Sequence, residues 1–374
     1  MPTLTQIVAQ VLDVIRRPAR TPEALESIAL LTGAAAFAIG FPVSWLVFGR
    51  AHLAIAGAGS IGWYAAVGGA VVAVLAFTAG RLAVRRASED PAGIAGGRPA
   101  NLLRWYDLIA IAGAYASIAL LGWIGISVLL ERSFIGAPVF AFPGAILVGV
   151  AFALTAYVAF LGAARLTPMS LSLDLAVFLV VGAFAAMLGS SDPKWWQDNL
   201  SSLGQTTNSA APAFNITLII SGVIVTTIAR FATAGLPVDS HAQRRGRTLM
   251  RTGLVLVGVF LACVGVFPVN EFFLLHNTVA TGMAVVYAVM ICALPWLLPS
   301  LPRVFFGLGY VYVGVIALLA IFFATGYYNL TAVELIAAVL IFSWIIVFLR
   351  TTSAAVQRTG GADAVEPALA ESDG

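Results

Sequence analysis

The feature that most constrains this chain is a series of long stretches without Asp, Glu, Lys or Arg. Such stretches cover residues 27–49, 51–80, 108–130, 133–164, 199–229, 252–270 and 272–302. Two further stretches, 166–191 and 304–349, each contain a single acid. Because a helix needs about 20 apolar residues to cross a bilayer, each stretch is long enough to span one. The sequence therefore predicts a polytopic membrane protein and excludes a soluble enzyme and a nucleic-acid-binding protein.

The uncharged stretches resolve into ten predicted spans. The run 304–349 is too long for one crossing, and Gly326 with the polar residues after it provides a turn that divides it in two. The predicted helices lie near 28–48, 61–83, 107–130, 138–163, 169–190, 211–233, 248–267, 272–297, 304–325 and 330–350. The fold class is thus an all-α transmembrane helix bundle.

The basic residues predict the orientation of the bundle. With the N-terminus in the cytoplasm, 17 of the 20 basic residues fall on the cytoplasmic side, and only Arg50, Arg132 and Lys194 fall outside. This asymmetry follows the positive-inside rule and places both termini in the cytoplasm. All the basic residues except Lys194 are arginine, which together with the alanine and glycine content favours a GC-rich bacterial source. We therefore expect a bacterial plasma-membrane protein.

The chain divides into four predicted regions. Residues 1–20 carry Leu4, Ile7 and Val11 at helical spacing, which indicates either an amphipathic helix on the membrane surface or a short frayed extension. Residues 21–166 form a four-helix unit with little polar chemistry, and residues 167–350 form a six-helix core. Residues 351–374 are small, polar and acidic, so we expect a disordered cytoplasmic tail.

The loop between the fifth and sixth spans is unusually polar and aromatic. Asp192 and Pro193 form a favourable helix start, and Gly204 a plausible stop, so the sequence predicts one short helix in the outer interface. Asp198 and Ser201 would share its polar face, opposite Trp196. Two interpretations stay open: a lid or platform for lipid headgroups, and a simple aromatic anchor.

Three polar side chains are predicted to lie in one layer within the bundle. Asn215, His276 and Glu334 each lie four residues inside the outer end of their predicted helix. At 1.5 Å per residue this is about 6 Å below the boundary. Asp198, Ser201 and Glu271 lie just above them. We therefore predict a site in which the latter three residues and Asn215 contact a substrate.

His276 and Glu334 are the predicted catalytic residues. A carboxylate in hydrocarbon costs roughly 2.5–3.5 kcal/mol, so Glu334 should face the bundle, where His276 is its natural partner. Such a pair suits general-base catalysis or proton coupling, although a polar network that holds helices together is an equal alternative. Three histidines and two separate cysteines do not form a metal centre, and no cofactor is expected.

Two segments of the second half resemble a known family. Residues 198–204 and 213–222 form one segment, and Gly265-Val266-Phe267-Pro268 followed by His276 forms the other. Together they resemble the bacterial membrane family called domain of unknown function 998, over about residues 167–350. The resemblance implies a six-helix core and a relationship to the Frag, DRAM and Sfk membrane proteins, which are linked to lipid remodelling. It implies no reaction.

Three functions follow as competing hypotheses. The first is the handling of a lipid or a lipid-linked headgroup at the outer leaflet, with membrane lipids as partners. The second is a proton-coupled transporter of small solutes in which Glu334 titrates. The third is a non-catalytic assembly protein that binds other membrane proteins.

Overall fold

The computed structural model describes residues 22–49, 52–88, 104–234 and 240–370, together with residues 236 and 238. Within these ranges ten helices are long and apolar enough to cross a membrane. The predicted all-α bundle and its ten spans are therefore confirmed. The amphipathic helix predicted for residues 1–20 lies outside the described residues, and the orientation in the membrane stays a prediction.

The chain forms two compact units, Met1–Thr167 and Pro168–Gly374. In the first unit, α4 packs against both α1 and α2, and α2 packs against α3. Two short antiparallel strands pair at one end, with His52 opposite Phe140. The elements are α1 (Pro22–Phe48), β1 (His52–Leu53), α2 (Ile61–Ser88), α3 (Trp105–Ser133), β2 (Val139–Phe140) and α4 (Ala141–Ala164).

One polar cluster and several small residues hold the first unit together. The Tyr157 hydroxyl on α4 donates a hydrogen bond to the Glu26 carboxylate on α1, and the Arg165 guanidinium lies 3.1 Å from the same carboxylate. A Cβ atom on Gly80 of α2 would lie 2.6 Å from the Phe160 carbonyl oxygen of α4. Small residues therefore let these helices approach closely, as is usual where hydrophobicity alone cannot drive helix association.

The second unit is a ring of six helices. Each helix contacts the next in sequence, and α10 closes the ring by packing against α5. The helices are α5 (Pro168–Gly189), α6 (Ala211–Ala234), α7 (His241–Val266), α8 (Phe273–Leu297), α9 (Arg303–Ala324) and α10 (Leu330–Ala370). We call the end at which α6, α8 and α10 begin the loop end, because the long α5–α6 connection lies there.

The last helix is longer than the sequence predicts. Residues 351–374 were expected to be a disordered tail, whereas α10 continues to Ala370. The reason is local: this stretch follows directly from a long apolar helix, it is rich in alanine, and it contains no proline before Pro367. Acidic composition alone did not reveal this continuity.

Helices α6 and α7 of the second unit approach each other closely at two glycines. A Cβ atom on Gly258 would lie 2.6 Å from the Gly222 carbonyl oxygen, and one on Gly222 would lie 2.7 Å from the Ala262 backbone nitrogen. Real side-chain atoms do not tolerate such distances to backbone. The two helices therefore depend on both glycines for their separation.

We expect Gly222→Ala to lower the free energy of unfolding by about 1–3 kcal/mol, because the added methyl group must push α6 and α7 apart. Thermal unfolding of the purified protein in detergent measures this loss. Gly314→Ala on α9 is the matched control, since a Cβ atom there meets nothing within 4 Å. Equal melting temperatures for the two variants would contradict the packing described.

Candidate functional site

The α5–α6 connection does not form the single helix predicted from Asp192 to Gly204. It forms two short 3-10 turns instead, Trp195–Gln197 and Leu200–Gly204. Asp192 does not cap the first turn: its carboxylate accepts a hydrogen bond of 2.8 Å from the Lys194 amide, just before the turn, and the turn begins without a side-chain cap. Asn199 then adopts an extended backbone, with φ −160° and ψ 161°. The Ser202 hydroxyl donates to the Trp195 carbonyl oxygen across this break, and side-chain bonds of this kind compete with a continuous helix.

The second turn, Leu200–Gly204, is buried among the helix ends and is the centre of the candidate site. We call it the anchored turn. Ser201 and Ser202 are buried, and Leu203 is fully enclosed. Leu203 packs with Ala186 of α5 and with Ala210 and Phe214 at the start of α6. The backbone of a short turn in such a place needs hydrogen-bond partners from its neighbours.

Glu334 binds the beginning of the anchored turn. The Leu200 amide donates a hydrogen bond of 2.6 Å to the Glu334 carboxylate, and the Ser201 amide faces the same group. These are amides at the start of a turn, which no residue within the turn can satisfy. A half-buried carboxylate on α10 thus satisfies backbone donors that have no partner within the anchored turn. Hydrogen bonds of this charged kind are among the stronger ones in proteins.

Asn215 binds the other end of the anchored turn. Its Nδ2 group donates a hydrogen bond of 3.0 Å to the Gly204 carbonyl oxygen. The approach requires glycine, because a Cβ atom at position 204 would lie against the Asn215 carbonyl group and 2.7 Å from a ring carbon of Phe214. Two predicted layer residues, Asn215 and Glu334, therefore hold opposite ends of one segment.

His276 joins the anchored turn to the end of α7. Its Nδ1 atom lies 2.7 Å from the Phe267 carbonyl oxygen, and its Nε2 atom lies 3.0 Å from the Ser201 hydroxyl. Phe267 directly follows the last residue of α7, and Pro268 comes next, so the Phe267 carbonyl lacks a helical partner. The imidazole is 3% exposed and both of its nitrogens are occupied.

The predicted pair of Glu334 with His276 does not form. Each ring nitrogen has one hydrogen-bonding position, and Phe267 and Ser201 occupy the two. Glu334 instead accepts from the Leu200 amide. The sequence placed both residues at one depth, but it did not show that a loop segment lies between them.

The other predicted residues divide into two groups. Ser201 is buried and contacts His276, so it belongs to the site. Asp198 and Glu271 are exposed and lie outside the buried cluster. Asp198 and Ser201, predicted to share a helix face, are separated by the break at Asn199.

The donor and the acceptor of the hydrogen bond between Ser201 and His276 can be assigned. A carbonyl oxygen can only accept, so the hydrogen bond to Phe267 places the ring proton on Nδ1. Nε2 then carries the lone pair and accepts the Ser201 hydroxyl proton. A nucleophile beside a base that a third group orients is the geometry of an activated serine. Among the described residues no group of three or more His, Cys, Asp and Glu side chains is placed to hold a metal ion.

The model of one protein family, described as protein of unknown function (DUF998), matches residues 174–351. Residues 174–351, a little under half of the chain, are therefore similar to this family. The match begins within α5 and ends within α10, so it confirms the resemblance and includes every residue of the buried cluster. No curated protein and no solved structure matches the chain.

Sequence reasoning missed three asparagines that complete the loop end of the second unit. Asn329 donates to the Trp196 carbonyl oxygen at 2.8 Å and caps α10 by accepting from the Ala332 amide at 3.1 Å. Asn208 donates to the Ser202 carbonyl oxygen, and Asn270 bonds to Thr206 through both of its side-chain atoms. A helix-start position immediately before an apolar run was the available signal for Asn329.

We expect Glu334→Leu to destabilise the second unit by about 1.5–3 kcal/mol, because it leaves the partly buried Leu200 amide without its charged acceptor. Hydrogen exchange at Leu200 should accelerate in parallel. Glu271→Leu changes the exposed acid of the same predicted set, and its effect should stay within about 0.5 kcal/mol. Unchanged exchange at Leu200 in Glu334→Leu would show that the carboxylate does not hold the turn.

Proposed function

We propose that this protein handles a membrane lipid, or a lipid-linked headgroup, at the outer leaflet, with Ser201 and His276 as the reacting pair. The observation that carries the proposal is the hydrogen bond of 3.0 Å between the Ser201 hydroxyl and His276 Nε2. Because the Phe267 carbonyl oxygen fixes the opposite nitrogen, the imidazole presents a base to the serine hydroxyl.

The proposed reaction is acyl transfer from a lipid ester. The Ser201 oxygen forms a bond to the ester carbonyl carbon while its proton passes to His276 Nε2. The bond from that carbon to the lipid alcohol then breaks, and the alcohol departs with the proton from Nε2. Water, or a second alcohol, releases the acyl group from Ser201 by the same steps in reverse. The imidazolium formed in between keeps its Nδ1 hydrogen bond to the Phe267 carbonyl oxygen.

The surroundings of the pair support a lipid as the substrate. His276 lies in the first turn of α8, and the apolar residues before it are open to the outside, with Phe273 63% and Leu274 80% exposed. Trp196, on the loop that carries Ser201, is 50% exposed. Exposed aromatic and aliphatic side chains at the end of a spanning helix are typical of the membrane interface. Lipid ester groups lie in that zone, between headgroups and hydrocarbon.

The two alternatives draw less support from the same geometry. A proton-coupled transporter needs a carboxylate that binds and releases a proton, whereas Glu334 already accepts the Leu200 amide. A purely structural role accounts for Glu334 and Asn215, which bind backbone groups at each end of the anchored turn. It does not require a base directed at a serine hydroxyl.

A fluorophosphonate probe, which reacts with activated serines, tests the reacting pair in native membranes. We expect a mass adduct on Ser201 and no adduct in Ser201→Ala. In His276→Gln the labelling rate should fall by about 100-fold or more, because general-base assistance contributes at least about that much. Ser202→Ala is the matched control, since Ser202 is also buried but donates to the Trp195 carbonyl oxygen instead.

The lipid part of the proposal has its own measurement. The full chain, reconstituted in vesicles that contain a phospholipid with a labelled acyl chain, should release or transfer that chain only when Ser201 is intact. In the probe experiment, equal labelling of Ser202→Ala and wild type, together with no labelling of Ser201→Ala, supports Ser201 and His276 as the reacting pair. Undiminished labelling in Ser201→Ala, or acyl release that survives this change, would overturn the proposal.

A further inference from the structure

Two buried side-chain oxygens near Glu334 have no hydrogen-bond partner. They are Asn199 Oδ1, on the loop just before the anchored turn, and Thr331 Oγ1, in the first turn of α10. Thr331 is only 6% exposed. Buried polar atoms are almost always satisfied, so each such oxygen calls for an explanation.

The hydrogen bonds that flank Asn199 and Thr331 along the chain place their two oxygens at the same interface. The Trp196 carbonyl oxygen bonds to Asn329, and the Leu200 amide bonds to Glu334. Residues 196–200 therefore run alongside residues 329–334, and Asn199 and Thr331 both lie between the two hydrogen bonds. Thr331 and Glu334 are three residues apart on α10, which puts them on one face of the helix.

We propose that Asn199, Thr331 and Glu334 bind a sodium ion. All three contribute oxygen: an amide carbonyl, a hydroxyl and a carboxylate. Oxygen ligands of this type bind hard cations, and nitrogen or sulfur ligands are not needed. A single carboxylate balances one positive charge, which favours a monovalent ion over calcium, whose sites use several carboxylates.

The ion would complete the attachment of the loop to α10. The hydrogen bonds from Asn329 to the Trp196 carbonyl oxygen and from the Leu200 amide to Glu334 already join these segments at both ends of the interface. A cation between them satisfies the two remaining oxygens and offsets the buried negative charge. The ion site shares Glu334 with the anchored turn, but it does not depend on a reaction at Ser201.

Thermal unfolding of the full chain in detergent tests the site. Melting temperatures are compared in sodium chloride and choline chloride at equal ionic strength. We expect a saturable rise with sodium, because an ion that binds only the folded state stabilises it. Thr331→Val, which keeps the shape but removes the hydroxyl oxygen, should lose most of the rise, and Thr331→Ser should keep it.

Thr325→Val is the control, because Thr325 directly follows α9 and its hydroxyl already donates to the Phe322 carbonyl oxygen. This variant should respond to sodium as wild type does. Equal melting in both salts, or an unchanged sodium response in Thr331→Val, would overturn the proposal. A loss of stability in Thr331→Val that is the same in sodium and choline would also overturn it, since an ordered water would then be the partner of the Asn199 and Thr331 oxygens. The outcome of this sodium test is independent of whether the fluorophosphonate probe labels Ser201.

Discussion

Polar backbone groups at membrane depth must find partners inside the protein, because hydrocarbon offers none. Helices satisfy this requirement internally, but a short turn between helices cannot. The anchored turn, Leu200–Gly204, is buried at the loop end of the second unit. Three helices each supply one polar side chain to it: Glu334 at its first amide, His276 at the Ser201 hydroxyl, and Asn215 at its last carbonyl. The rest of the loop end is arranged around these three bonds.

The same requirement gives the site its chemical character. Glu334 and Asn215 bind backbone groups, so their roles are to position the turn. His276 differs, because it satisfies the carbonyl of Phe267 with one nitrogen and leaves the other facing a side-chain hydroxyl. Holding the backbone on both sides of Ser201 keeps that hydroxyl in place. A structural need at the helix ends thus produces a geometry that also suits nucleophilic catalysis.

Much of the architecture could be predicted from the sequence, because uncharged runs of spanning length are a strong signal. The helical rise placed Asn215, His276 and Glu334 in one predicted layer, and the structure brings all three to the anchored turn. Their partners could not be predicted, since Glu334 binds a backbone amide that carries no sequence signal. The helix expected from Asp192 failed because Asn199 takes an extended conformation. The continuation of α10 past residue 351 was also missed, since acidic composition does not by itself end a helix.

The direction of the hydrogen bond between Ser201 and His276 decides whether this geometry can serve catalysis. Nitrogen-15 NMR of the imidazole, with Ser201→Ala to assign the resonance among the three histidines, measures it directly. The structure predicts a proton on Nδ1 and a lone pair on Nε2 whose resonance shifts when the serine hydroxyl is removed. A proton on Nε2, or a resonance that Ser201→Ala leaves unchanged, would contradict a serine activated by His276.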